Sequence, residues 1–215
     1  MARTDDLIAA LASELRPVRR MAPPGRRAAS WLGVTAGLAV LIVLQFASHP
    51  LIEQRMSVAR MTLECLGSAL TAVAATMAAF ELSVPGHSSR WNWVPVPPLL
   101  LWLAASGAGC VQNGMGLHTP YTRHMPSCFV FIVSISIPLG LALFWMLRRA
   151  RPISPLPVAL AGALGVAATA ATLLQFFHPF DITWLDLGIH LGAVLVVVTV
   201  AGALRETLLA ASRQP

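Results

Sequence analysis

Residues 126–147 read PSCFVFIVSISIPLGLALFWML, an unbroken run without one charged side chain. A helix that crosses a bilayer needs roughly 20 predominantly apolar residues, and this run meets that length. Working outward from it, comparable stretches lie at about 29–47, 63–84, 94–112, 154–177 and 182–204. Hydrophobic residues make up 56% of the chain and charged residues 11%, with a mean hydropathy of +0.70, whereas soluble domains carry about 25% charged residues. The expected fold is therefore all-α and polytopic, six transmembrane helices preceded by a short amphipathic helix. Residues 1–27 form an arm and basic linker, 28–205 the transmembrane domain and 206–215 a tail. No room is left for a folded soluble catalytic domain, so an enzyme is not expected.

All 15 basic residues are arginine, and their distribution reads as topology. With a cytoplasmic N-terminus, Arg3, Arg16, Arg19, Arg20, Arg26, Arg27, Arg90, Arg148, Arg149, Arg151, Arg205 and Arg213 fall inside, and only Arg55, Arg60 and Arg123 outside. That asymmetry satisfies the positive-inside rule and places both termini in the cytoplasm. Loops near 48–62, 111–125 and 178–181 then face outward. A cleaved signal peptide is the rival reading of the N-terminus, but its leading region is too long and its apolar segment has full span length.

Within the spans, small residues four apart allow close helix approach. Gly33 with Gly37, Gly188 with Gly192 and the run Ala159 to Ala171 are expected as packing seams. Pro95, Pro97 and Pro98 open the third span, where helix-starting prolines are tolerated, and Pro138 is expected to kink the fourth. Trp91, Trp93, Trp102, Trp145 and Trp184 are expected as an interfacial belt.

Two features exceed packing. In the arm, Thr4 is a suitable N-cap, Asp5 and Asp6 fall in the first turn, and Arg16 follows the last, matching the helix dipole. Leu7, Ile8, Leu11 and Leu15 share one face, and Pro17 ends the helix. So short a helix is marginal alone in water, so its stripe needs a surface. Interfacial lipid helices favour a basic polar face; Asp5, Asp6 and Glu14 favour instead a protein partner with an apolar groove and basic rim.

The second feature is on the outer side. Cys110 and Cys128 bracket the loop VQNGMGLHTPYTRHMPS. A structural disulfide, a redox or metal-sensing pair and inert thiols are all open readings; a bridge would restrain the loop by about 3 kcal/mol. Cys65, His49, His118, His124 and His178 lie on the same side, and with His190 they make a Cys/His shell for a soft metal conceivable. Cys110, Cys128, His178 and His190 are the candidate ligands. In the sixth span Asp186 and His190 are four apart on one face, and ionisable groups inside a membrane are functional candidates. Mutual satisfaction, or contact of His190 with His178 or Gln175, is the plainer reading.

The segments TDDLIAALASELRPVRR (4–20), FELSVPG (80–86), PLLLWLAASGAGC (98–110), CFVFIVSISIPLGLALFWMLRR (128–149), LLQFFHP (173–179) and IHLGAV (189–194) together resemble the NrsF family of integral-membrane anti-sigma factors. That resemblance implies an inner-membrane protein that sequesters an extracytoplasmic-function sigma factor through Thr4 to Arg20. Thr4, Asp5, Asp6, Leu7, Ile8, Leu11 and Leu15 would be the contact residues. It also implies release on a heavy-metal or oxidative signal sensed by Cys110 and Cys128; Cys65 lies outside the pattern. No resident cofactor is expected beyond a transient metal ion or disulfide, and no direct nucleic-acid contact or small-molecule substrate. A membrane thiol-disulfide oxidoreductase would need a second cysteine pair or a CxxC, which the chain lacks. A small transporter would show inverted repeats and midplane charges, and no repeat is evident.

Overall fold

The computed structural model describes residues 4–13, 20–114, 125–177 and 183–209. Leu15, Arg16, His118, His124 and His178, and most of the loop between the bracketing cysteines, lie outside the described residues. Every described element is helical: α1 (Thr4–Ser13), α2 (Pro24–Phe46), α3 (His49–Met56), α4 (Ala59–Leu82), α5 (Val96–Asn113), α6 (Met125–Leu147), α7 (Pro155–Leu174), α8 (Trp184–Ala203) and α9 (Arg205–Leu209). Short 3₁₀ turns at Ser89–Trp93 and Arg148–Ala150 join α4 to α5 and α6 to α7.

Six helices are long and apolar enough to cross a membrane, each within a few residues of its apolar stretch. The sequence explains where they start. Prolines occupy the first turn of α2, α5 and α7, where the missing N–H has no helical partner to lose. The Thr183 side chain caps α8 by accepting from the Asp186 N–H at 3.3 Å, and the Asp186 carboxylate in that first turn suits the positive helix end. Pro138 stands inside a continuous α6. The stretch 48–62, expected as a loop, contains α3, and α2 starts ahead of its apolar run, so that Arg26 and Arg27 belong to its first turn.

The two ends of the bundle are here called the arm end, where α2 begins, and the cysteine end, where α5 finishes. The central pair is α4 and α7, packed antiparallel. Here α5 flanks α4, α6 and α8 flank α7, α2 leans on the outer side of α4, and α5 meets α8 only sparsely. The core has two layers. At the arm end Ala28 and Trp31 of α2 join Phe80, Leu143, Phe144, Leu147, Val158 and Val166. At the cysteine end Trp102, Cys128, Ile132, Ala168, Ala171, Leu174 and Ala193 pack together.

The closest approaches correct two expectations. The alanine run of α7 is buried as a seam, but the glycines that let backbones touch are Gly165, where an added Cβ would lie 2.6 Å from Thr76 Oγ1, and Gly67, where it would lie 2.8 Å from the Trp102 backbone. Gly33, Gly37, Gly188 and Gly192 have nothing within 4 Å of such a Cβ. Their four-residue spacing faces away from neighbouring helices, because α2 and α8 sit at the edge of the bundle. Trp102, expected in the interfacial belt, is buried against Gly67, while Trp93, Trp145 and Trp184 are exposed.

Candidate functional site

The arm is the first element. Thr4, Asp5, Asp6, Leu7, Ile8 and Leu11 all lie on α1, and every residue of that helix is exposed. Leu7, Ile8 and Leu11 are 57%, 59% and 58% exposed, on one face by helical spacing. Burying three such side chains is worth about 5 kcal/mol, so α1 carries a stripe able to drive association.

The root of the arm is fastened. Arg27, in the first turn of α2, donates through Nη2 to the Met146 carbonyl, one of the last carbonyls of α6 that has no helical donor. Its guanidinium also lies 5.0 Å from the centre of the Phe80 ring of α4, a favourable cation–π distance. Thus the residue that leads from the arm into the first span touches α4 and α6 together.

At the opposite end, Cys65, Cys110 and Cys128 are thiols, with no disulfide among them. Cys110 near the end of α5 and Cys128 at the start of α6 are both buried. Cys128 belongs to the apolar layer with Ile132 and Trp102, while Cys110, one helical turn after Ser106 on α5, feels the charges of Glu64, Asp186 and Arg60. Among the described residues no group of three or more His, Cys, Asp and Glu side chains is placed to hold a metal ion. Cys110, Cys128 and His190 therefore do not gather into a ready coordination shell here.

His190 and Asp186 do meet. The His190 Nδ1 lies 2.8 Å from the Asp186 carbonyl and 3.4 Å from its Oδ2. Around them the structure assembles a polar cluster from four helices and the end of a fifth. Arg60 Nη1 pairs with Glu64 Oε1 at 2.5 Å within α4, and Arg55 of α3 donates to Gln175 Oε1 at 2.5 Å just beyond α7. Arg55, Glu64, Ser106, Gln175, Asp186 and His190 border one cavity of about 50 Å³. Glu64 is not among the sequence-based candidates, although a carboxylate inside the apolar stretch 63–84 is the kind of residue that marks function. The i,i+4 spacing to Arg60 was the available signal; Gln175 pairs with Arg55, a contact no local pattern encodes.

The sequence model of the NrsF family, described as "Negative regulator of sigma F", matches residues 11–210. The chain is also similar to the "Anti-sigma-F factor NrsF" of Caulobacter vibrioides (strain NA1000 / CB15N), 29% identical over 199 residues that cover 87% of this chain and 92% of that one. No solved structure matches it. An exposed apolar-striped arm on an all-helical bundle, together with a family match from within α1 to the residue after α9, establishes that the chain belongs to the NrsF family.

Proposed function

We propose that this chain is an anti-sigma factor of the bacterial inner membrane, both termini cytoplasmic. It would hold an extracytoplasmic-function sigma factor on α1 and release it when a metal or oxidative signal reaches Cys110 and Cys128. The single observation that carries the reading is the uncovered stripe of Leu7, Ile8 and Leu11. An amphipathic helix of ten residues gains its stability from whatever covers its apolar face, and the bundle does not cover it. Family membership and the name of the Caulobacter relative supply the partner class, and the arginine asymmetry supports the cytoplasmic placement.

The route for the signal is α6. This helix carries Cys128 at its start and, at its end, the Met146 carbonyl that holds Arg27 at the root of the arm. Metal capture or oxidation at the cysteines would shift α6 between two packings, and the arm would be presented differently in each. Both thiols are buried, so the signalling state needs a local opening at the cysteine end.

The test is co-purification of the tagged chain in mild detergent with and without residues 1–20. A sigma factor recovered with the full chain and lost with the deletion is the expected result; intact protein that never brings one down contradicts the reading. For the signal, exchanging Cys110 and Cys128 together for Ser is expected to abolish or lock the response, and normal induction in that variant would remove the sensor role.

A further inference from the structure

The polar cavity at the cysteine end does not stand alone. Below it, toward the arm end, an open groove of about 630 Å³ runs between α5, α7 and α8. Its walls are apolar, formed by residues such as Val96, Leu160, Leu164 and Val198. Leu99, Leu103, Leu191 and Val194 border both the groove and the cavity, so the two adjoin across these four side chains. The groove exists because α5 and α8 touch only sparsely. It opens sideways, where Leu156, Leu160 and Leu195 are 45%, 38% and 61% exposed.

An apolar cleft of this volume ending in a few convergent polar groups is the usual form of a ligand site between helices, where sites span about 300–1,000 Å³. The polar end defines the head group. Counting Arg60, which pairs with Glu64, the two arginines offset the formal charges of Glu64 and Asp186, which favours an uncharged head. Ser106 Oγ is fully buried at the cavity with no hydrogen-bond partner, and an unmet buried hydroxyl costs about 1–3 kcal/mol. A space of about 50 Å³ exceeds the roughly 10–15 Å³ that one water needs, enough for a small polar head.

We propose that this groove and the cavity it adjoins together bind a single-chain lipid with a small uncharged hydrogen-bonding head, a long-chain alcohol or primary amide, that enters sideways from the bilayer. The alkyl chain lies along Leu160, Leu191 and Val198, and the head meets Ser106 among the balanced charges. The site does not involve the arm, and its test needs no sigma factor.

The experiment places the full chain in lipid nanodiscs with a diazirine- and alkyne-bearing hexadecanol, photolyses it, and maps the labelled peptides. Labelling is expected on α5 and α8, saturating with probe and competed by plain hexadecanol more strongly than by hexadecanoate. Ser106→Ala, which removes one atom, is expected to weaken labelling about fivefold, the worth of one hydrogen bond. Leu103→Trp, which fills the groove, is expected to reduce it at least about tenfold. Labelling that rises without saturating and equals that on the exposed Val34 to Leu41 face of α2 would mean bulk lipid only and overturn the proposal. Equal competition by hexadecanoate would overturn the uncharged head, and unchanged labelling of Ser106→Ala its placement.

Discussion

The α4–α7 pair and α2 are both span-length helices, yet 56% and 61% of the α4 and α7 spans are buried against 11% of the α2 span. The central pair closes on glycine contacts and on threonine and serine hydroxyls: Thr172 Oγ1 donates to Ser68 Oγ at 3.0 Å, and Gly165 lies against Thr76. By contrast α2 is held near its arm end, through Arg27, Ala28, Trp31 and Thr35, and then presents Val34, Leu38, Leu41 and Leu44 outward. Bundle stability resides in the pair, whereas the arm hangs from a helix attached by a small patch. A construction of this kind allows the arm's root to move without unfolding the bundle.

The largest effect should come from pushing the pair apart. Gly165→Leu places a side chain where even a Cβ comes within 2.6 Å of Thr76, and such overpacking costs about 3 kcal/mol. In a chain of this length that corresponds to a fall of about 10 °C in the thermal midpoint; an unchanged midpoint would show that α4 and α7 are not the close pair. A smaller loss, about 2 kcal/mol, is expected for Arg27→Leu, which removes a charge-assisted hydrogen bond and a cation–π contact. Its sharper readout is functional: binding at rest persists while the response to signal shrinks, and a full response would separate the arm's root from the signalling route. Least affected are Gly33→Leu and Gly37→Leu, expected within about 0.5 kcal/mol of the parent. A clear drop in midpoint for either would place α2 in a contact the bundle does not make.

How far the sequence could be read follows from the range of each interaction. Helix length and apolarity are written in contiguous residues, so apolar runs mark the helices closely, and first-turn prolines mark their starts. The face of α1 and the Asp186–His190 pair are also local, set by 3.6-residue periodicity. Glycine spacing is another matter. Gly33 with Gly37 looks like a seam on paper, but whether a small face meets a helix depends on which helices become neighbours, and α2 lies at the edge. For the same reason Trp102 reads as a belt residue and turns out to be the wall that Gly67 touches. The polar cavity is the least legible part: Arg55, Ser106 and Gln175 come from separate elements and converge only after the bundle closes. Glu64, a carboxylate inside the stretch 63–84, is the overlooked member that an apolar span should have exposed.

The central claim is that the arm binds and the bundle anchors, as separable parts. The most direct measurement is to titrate the co-purified sigma factor against the full chain and against Leu7→Asp/Leu11→Asp, recording the thermal midpoint of each in the same preparation. Two carboxylates set into the stripe should lower affinity at least about 100-fold, or roughly 2.7 kcal/mol, with the midpoint unchanged. Undiminished affinity, or a midpoint that falls together with affinity, would contradict the account.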